Sequence, residues 1–404
     1  MNPHLSASDI PAGFTFAATH CGIKRSRLDL GILVSDVPAT AAAVFTRNQI
    51  VAAPVIASRE HLAKSRGRMR GIIVNSGNAN CCTKEDGYPA SVAMASKLAD
   101  ELGVGGEQVL VSSTGVIGAP LRVEKILAAV PHLALARSSD PGAFEEFARS
   151  IMTTDTRPKW ATAKCRIGGK TVRLLACAKG SGMIEPNMAT MLAYIATDAA
   201  IAPGILDRAL RTSVEPTFNS ITVDGDTSTN DTVAILANGK SEAPEITRAG
   251  GSAYRALSQA LHRVCKSLAL AIVEDGEGAE RVIEIEVRCA PSERAARQVA
   301  KTIANSPLVK TAFAGADPNW GRILAAAGRS GVKFDPSRTN IWIAGVGICR
   351  GGREHPFDER VAHEKMLAKY VPIRVDLGSG KHSWRVWTCD FTVEYIHINS
   401  SYRT

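Results

Sequence analysis

Short apolar runs that end in turn residues recur along this chain, and stretches with the spacing of amphipathic helices lie between them; this alternation most narrows the fold. "GIIVNSG" (71–77) is short and β-branched, and reads as a buried strand. In the "ASVAMASKLADELG" that follows, Val92, Ala95, Ala99 and Leu102 recur on one helical face, and Gly103 can cap the end. "QVLVSSTGVIG" is again a strand and a turn. "TVRLLACAKGSGM" and "MLAYIATDAA" read as strands on either side of a glycine-containing stretch. "GILDRALRTSVEPTFNSITVDG" reads as a helix with Ile205, Leu206, Ala209, Leu210 and Val214 inward, followed by a strand. Helices are also expected at "SAYRALSQALHRVCKSLALAIV" and "ERAARQVAKTIANS", and strands at "RVIEIEVRC", "TNIWIAGVGI" and "WRVWTCDFTVEYIHI". The pattern predicts stacked α/β layers. The alternation in "VIEIEV" argues for half-exposed antiparallel strands over an all-parallel sheet.

At 404 residues the chain exceeds the roughly 250–300 residues at which single cores stop growing, so two core-forming units are expected. No apolar run reaches the roughly 18 residues of a membrane span, and the first residues lack a basic and apolar leader pattern, which leads to the expectation of a cytoplasmic protein with no membrane partner. The nine cysteines are scattered without Cys-x-x-Cys spacing, so reduced thiols are expected and neither a disulfide framework nor a metal site. A net charge of +9 invites a nucleic-acid reading, but the basic residues are spread out and aromatics are only 5%. That is too few for a base-stacking platform. A mild positive field suits small carboxylate-bearing molecules better.

The stretch "KGSGMIEPNMATML" (179–192) has the ingredients of a phosphate loop in the wrong order, since Lys179 precedes the glycines. After Pro186 it runs through Ala189 to Thr190 at a strand entrance. Cleavage before Thr190 would expose that threonine with its own α-amine as base. An α-amine has a pKa of about 7.7–8.0 against about 10.4 for lysine, so near neutrality its free base is hundreds of times more populated. The other reading of Thr190 is a plain β-branched residue opening a strand.

Acyl transfer also needs donors for the developing oxyanion. "VSSTGVIG" offers the Thr114 hydroxyl and Gly115, whose missing Cβ lets its N–H come close to a reacting centre; alone, the motif also reads as an ordinary turn. "NSGNANCCT" and "TVDGDTSTND" are dense in short polar side chains, which make tight turns by bonding their own backbone and could support a site. Asp224, Asp226 and Asp231 lack the spacing and terminal glutamate of a calcium loop. "FAGADPNWGRI", with Arg322, reads as a turn. No histidine sits in a zinc or serine-triad signature.

Taken in order, "FTRN", "NSGNAN", "SSTGVIG", "MTTDT", "AKGSGMIEPNMATML", "TVDGDTSTND", "DGEGA", "DPNWGRI" and "YIHINSSYRT" resemble the ornithine acetyltransferase, or glutamate N-acetyltransferase, family of arginine biosynthesis. The resemblance implies an αββα-type layered sandwich of mixed, largely antiparallel sheets with a second, smaller α/β domain. It implies a precursor that cuts itself between Ala189 and Thr190 into an α chain (1–189) and a β chain (190–404), assembled as a heterotetramer of two of each. Thr190 is then the nucleophile, and Thr114 with Gly115 the oxyanion hole. Substrate contacts fall on Thr153 (with Thr154 as the alternative), Lys179, Thr190, Glu277, Asn399 and Thr404. The implied substrates are N2-acetyl-L-ornithine and L-glutamate, with no cofactor, and with acetyl-CoA open as a further donor. An aminopeptidase or amidase of the same self-processing architecture, and a non-catalytic basic binding protein, are the alternatives. Glu185, Cys81 with Cys82, and Ala316 depart from the family pattern.

Overall fold

The computed structural model describes residues 4–185 and 191–401. Its first sheet runs in the order β4-β3-β2-β8-β7-β6-β5, with β1 added beside β2. The strands are β1 (Phe14–Thr19), β2 (Leu30–Phe45), β3 (Arg68–Asn78), β4 (Val109–Val116), β5 (Lys159–Ile167), β6 (Lys170–Lys179), β7 (Leu192–Thr197) and β8 (Thr232–Ala237). The long β2 carries the architecture. Leu30–Val34 pair with β3, Thr40–Phe45 pair with β8, and the register breaks between Val34 and Ala39. Pro38, which has no N–H to give a ladder, sits in that break. β2 thereby belongs to two half-sheets. β3–β4 and β7–β8 are parallel, while the other pairings are antiparallel.

The helices α1 (Ala53–Lys64), α2 (Gly87–Leu102), α3 (Val123–Leu135), α4 (Pro141–Ser150), α5 (Pro203–Val214) and α6 (Ser252–Glu274) complete the layers. Phe16, Leu33 and Leu110 from one half-sheet meet Ala41, Leu175, Tyr194 and Leu236 from the other, with Phe144 and Phe147 of α4 filled in between. The Phe16 and Phe144 rings meet edge to face at 5.0 Å. Outside the first half-sheet, Ile32, Ile73 and Val111 pack on Met94 and Leu98 of α2 and Ile126 of α3. Outside the second, Leu174, Ile195 and Ile235 pack on Leu206 and Leu210 of α5 and Leu261 and Leu268 of α6. Helices, sheet, sheet and helices follow one another, the expected αββα sandwich of mixed, largely antiparallel strands.

A smaller sheet follows, in the order β12-β11-β10-β13-β9-β14. It comprises β9 (Val282–Ala290), β10 (Asn340–Ile343), β11 (Val346–Arg350), β12 (Arg353–Glu354), β13 (Tyr370–Asp376) and β14 (His382–Cys389). It is packed by α7 (Glu293–Ala304), α8 (Pro307–Ala314), α9 (Trp320–Gly328) and α10 (Glu359–Met366) around a separate core. The last helix is α11 (Val393–Ser401). The 189/190 boundary does not divide these units, because β7 and β8 stand between β6 and β2 in one sheet.

Four local expectations change. The inward face of α2 is Ala90, Ser91, Met94, Ala95, Leu98 and Ala99, with Val92 and Leu102 only half-buried; Gly103 does end the helix, at φ 65°. The segment after α5 is not a strand: Ile221 makes a single bridge to Trp387. "TNIWIAGVGI" is a hairpin, turned at Ala344 and Gly345, both at positive φ as a tight right-twisted turn requires. "FTVEYIHI" is helical despite its β-branched residues. Val393 and Ile396 are left 70% and 66% exposed, while Tyr395 and Asn399, one turn apart, both face the cleft described below. Docking of that face outweighs strand propensity.

Candidate active site

The parallel pairing of β3 with β4 ends in two turns pressed together, with Ser76 opposite Thr114 and Gly77 opposite Gly115. A Cβ on Gly115, at φ +133°, would lie 2.4 Å from the Gly77 carbonyl carbon. Gly115 is therefore glycine because two backbones touch, and the same contact brings Thr114 and Gly115 to the edge of a cleft. The short polar side chains of these turns bond backbone, as anticipated. Asn75 Nδ2 donates to the Asn78 carbonyl, and Asn78 Nδ2 to that of Ala119. Asn230 reaches across from the start of β8: its Nδ2 donates to the carbonyls of Ala79 (2.6 Å) and Ser113 (2.9 Å). The β8 entrance is thus fixed against the residue before Thr114.

The 224–232 loop also grips both sides of the proposed cut. Asp224 accepts the N–H groups of Met183 (2.6 Å) and Ile184 (2.8 Å), and the Glu185 N–H donates to the Asp226 carbonyl (2.8 Å). On the far side the Thr232 N–H donates to the Met191 carbonyl (3.0 Å). Glu185, which departs from the family pattern, faces Lys301 at 3.6 Å.

A buried ion network joins the remaining walls. Lys159, fully buried, places its Nζ 2.6 Å from Asp155 and 2.5 Å from Asp275. Asp155 also accepts the N–H of Thr153 (2.9 Å) and of Gly180 (2.7 Å). Asp275 accepts the N–H and hydroxyl of Thr156, and its carbonyl accepts the Ser181 hydroxyl (2.6 Å). One lysine therefore ties together the Thr153–Thr156 turn, the glycine stretch after Lys179 and the loop that carries Glu277. Glu277 is buried, accepts Asn399 Nδ2 at 2.8 Å, and packs so close to Gly182 that a Cβ there would lie 2.4 Å from its Oε2.

Burial opposes ionisation of Asp155, but the Lys159 and Lys179 ammoniums and the Thr153 N–H hold its pKa at about 2. Burial pushes the Lys179 ammonium pKa down, against the pull of Asp155, Asp231 and Glu277. Burial raises Asp224 above the usual carboxylate range, and raises Asp231 well above it. Among the described residues the cleft lining carries Asp224, Asp226, Asp231 and Glu277 against the single cation Lys179. The positive balance of the whole chain therefore does not extend into the cleft, which suits a ligand bearing an ammonium beside its carboxylate.

The predicted residues converge. Thr114, Gly115, Thr153 and Thr154 line one cleft with Lys179, Glu277 and Asn399, enclosing about 870 Å³ with its open mouth included. Ala189, Thr190 and Thr404 lie outside the described residues. Met191, the neighbour of Thr190, lines the cleft. Asn319 in "FAGADPNWGRI" caps α9 and Arg322 bonds the Leu308 carbonyl, so that motif is a structural turn away from the cleft. Sequence reasoning missed Lys159, whose role appears only when distant carboxylates surround it. It left Asp231 and Asn230 open between forming a tight turn and supporting a site, and nothing along the chain decided between the two. No cluster of metal-ligating side chains occurs among the described residues, and all nine cysteines are free.

Comparison with known proteins agrees with this geometry. Residues 15–404 match the ArgJ family. The arginine biosynthesis bifunctional protein ArgJ of Thermotoga neapolitana is 48% identical over 399 residues, covering 98% of this chain and 100% of that protein. The protein of the same name from Thermosynechococcus vestitus is 47% identical over 408 residues, covering 97% and 96%. The crystal structure of the Bacillus halodurans arginine biosynthesis bifunctional protein argJ superposes with a TM-score of 0.51 at 41% identity, covering 53% of this chain and 100% of that one. With a match over nearly its whole length and a cleft built from the motifs described, the chain belongs to the ArgJ family.

Proposed function

We propose that this chain is an acyltransferase of arginine biosynthesis that moves the acetyl group of N2-acetyl-L-ornithine to L-glutamate, releasing L-ornithine and N-acetyl-L-glutamate. The observation that carries this reading is the meeting, in one cleft, of Thr114 and Gly115, the ligand-sized set Lys179, Glu277 and Asn399, and Met191 at the entrance of β7. The precursor cuts itself between Ala189 and Thr190. The Thr190 hydroxyl then attacks the acetyl carbonyl, its α-amine takes the proton, and Thr114 and Gly115 stabilise the oxyanion. Ornithine departs, and the glutamate amine collects the acetyl group. Lys179 is suited to a substrate carboxylate and Glu277 to the ornithine side-chain ammonium, with Thr153 or Thr154, Asn399 and Thr404 completing the contacts. No resident cofactor takes part in these steps.

The bifunctional names of the relatives support a second activity; on our reading this is acetyl-CoA acting as an alternative acetyl donor. We further infer a cytoplasmic heterotetramer of two α and two β chains. The test of the reaction is acetylornithine consumption by the purified protein with and without glutamate. Transfer predicts a large stimulation by glutamate with stoichiometric N-acetylglutamate, and equal rates would identify a hydrolase instead. Thr190→Ala should abolish both processing and turnover.

A further inference from the structure

We propose that Asp231 is the proton carrier of the transfer cycle, giving a proton to the departing ornithine amine and taking one back from the entering glutamate ammonium. This rests on the transfer reading above and adds a step to it. In the first half-reaction the C–N bond of acetylornithine breaks, the ester to the threonine forms, and the threonine hydroxyl proton passes to the leaving nitrogen. Ornithine is then a neutral amine and must gain one proton to leave as an ammonium. Glutamate arrives as an ammonium and must lose one proton before its nitrogen can attack. Over the full cycle one proton is in effect moved from glutamate to ornithine, but the two amines are never bound together, so a group that lends a proton in the first half-reaction and recovers it in the second closes the balance.

Asp231 is placed for this. It lines the cleft, is 2% exposed, and its Oδ2 has no hydrogen-bond partner among the described residues. A buried carboxyl oxygen left without a partner carries a full desolvation cost, which a transient partner in the cleft would offset. It immediately precedes β8, whose Thr232 pairs with Leu192 and bonds Met191, so it flanks the residue next to the nucleophile. Asn230 fixes the same turn against Ser113, beside Thr114, so Asp231 lines the cleft from an anchored turn. The cation facing it is Lys179 of β6, and the Ser228 hydroxyl and Met191 N–H lie beside it. Glu277, Asp224, Asp226 and Tyr395 of α11 surround the rest of the cleft. Burial raises its proton affinity well above that of an ordinary carboxyl, against the pull of Lys179.

The test compares two acceptors. Glutamate needs its ammonium deprotonated, whereas hydroxylamine is already a free base at neutral pH. Transfer from the isolated acetyl-enzyme of Asp231→Asn to glutamate at pH 7 should be about 10²–10⁴-fold slower than from wild type, and transfer to hydroxylamine less than about tenfold slower. Equal losses with both acceptors, or no loss, would overturn the proposal. Should the variant fail to fold or to cut, the wild-type enzyme decides. With an internal carrier, kcat/KM for glutamate stays nearly flat between about pH 7 and 8; without one it climbs about tenfold per unit with the free-amine fraction, and the proposal fails. A wild-type enzyme that makes no N-acetylglutamate at all would instead refute the transfer reading.

Discussion

Replacing Lys159 with methionine tests whether the buried ion network holds the cleft together. The substitution keeps most of the side-chain volume but leaves Asp155 and Asp275 facing one another without the ammonium that now stands 2.6 Å and 2.5 Å from them. Removing one partner of a fully buried ion pair costs about 3–5 kcal/mol. An independent figure comes from Asp155: a carboxyl held at about 2 against an ordinary 3.8 contributes about 2–3 kcal/mol of stability. Because the folded pKa is depressed, that contribution is present above pH 3.8 and is lost as the pH falls through about 2. Urea unfolding at pH 7 should therefore show Lys159→Met destabilised by about 3–5 kcal/mol, and the gap to wild type should narrow as the pH falls from 4 toward 2. The triple variant Asp155→Asn, Lys159→Met, Asp275→Asn leaves no bare charge and should lose less than the single one. Because the network fixes the Thr153 turn and the loop carrying Glu277, KM for acetylornithine should rise more than kcat falls. A loss below about 1 kcal/mol, or a triple variant less stable than the single one, would refute the argument.

Three further outcomes are expected. After cleavage the two fragments should migrate as one species in native gel filtration and separate only in denaturant, because β6 pairs with β7 over six residues and β2 with β8 over six more. Gly115→Ala should be destabilised and inactive, measured by thermal unfolding and turnover, since its Cβ would lie 2.4 Å from the Gly77 carbonyl carbon; wild-type behaviour would show that the two turns are not in contact. Thr114→Ala should fold normally but lose about 10²–10³-fold in kcat, equivalent to about 2.7–4 kcal/mol of oxyanion stabilisation.

The layers and the placement of the cleft followed from local pattern where pattern and packing agree. β3, β4, β6 and β7 were readable as short apolar runs, and Gly103 marked the end of α2, because those signals are set within a few residues. α11 was not readable, since its helical state depends on Tyr395 and Asn399 docking toward Glu277, whose partner lies 122 residues away. The "IAGVGI" hairpin turned on Ala344, a residue that rarely adopts positive φ and so carried no turn signal. The site motifs located Thr114, Lys179 and Glu277, but gave no sign that the Gly77 backbone occupies the space a Gly115 side chain would need. Lys159 and Asp231 gain their meaning only from charges and voids brought together across the fold, and no spacing along the chain encodes those.

The central claim is that one peptide bond is cut to make the nucleophile. Intact-mass analysis of freshly purified protein tests it most directly. The account predicts two chains, residues 1–189 and 190–404, the second beginning with threonine. A single uncut chain with full acetyltransferase activity would contradict it.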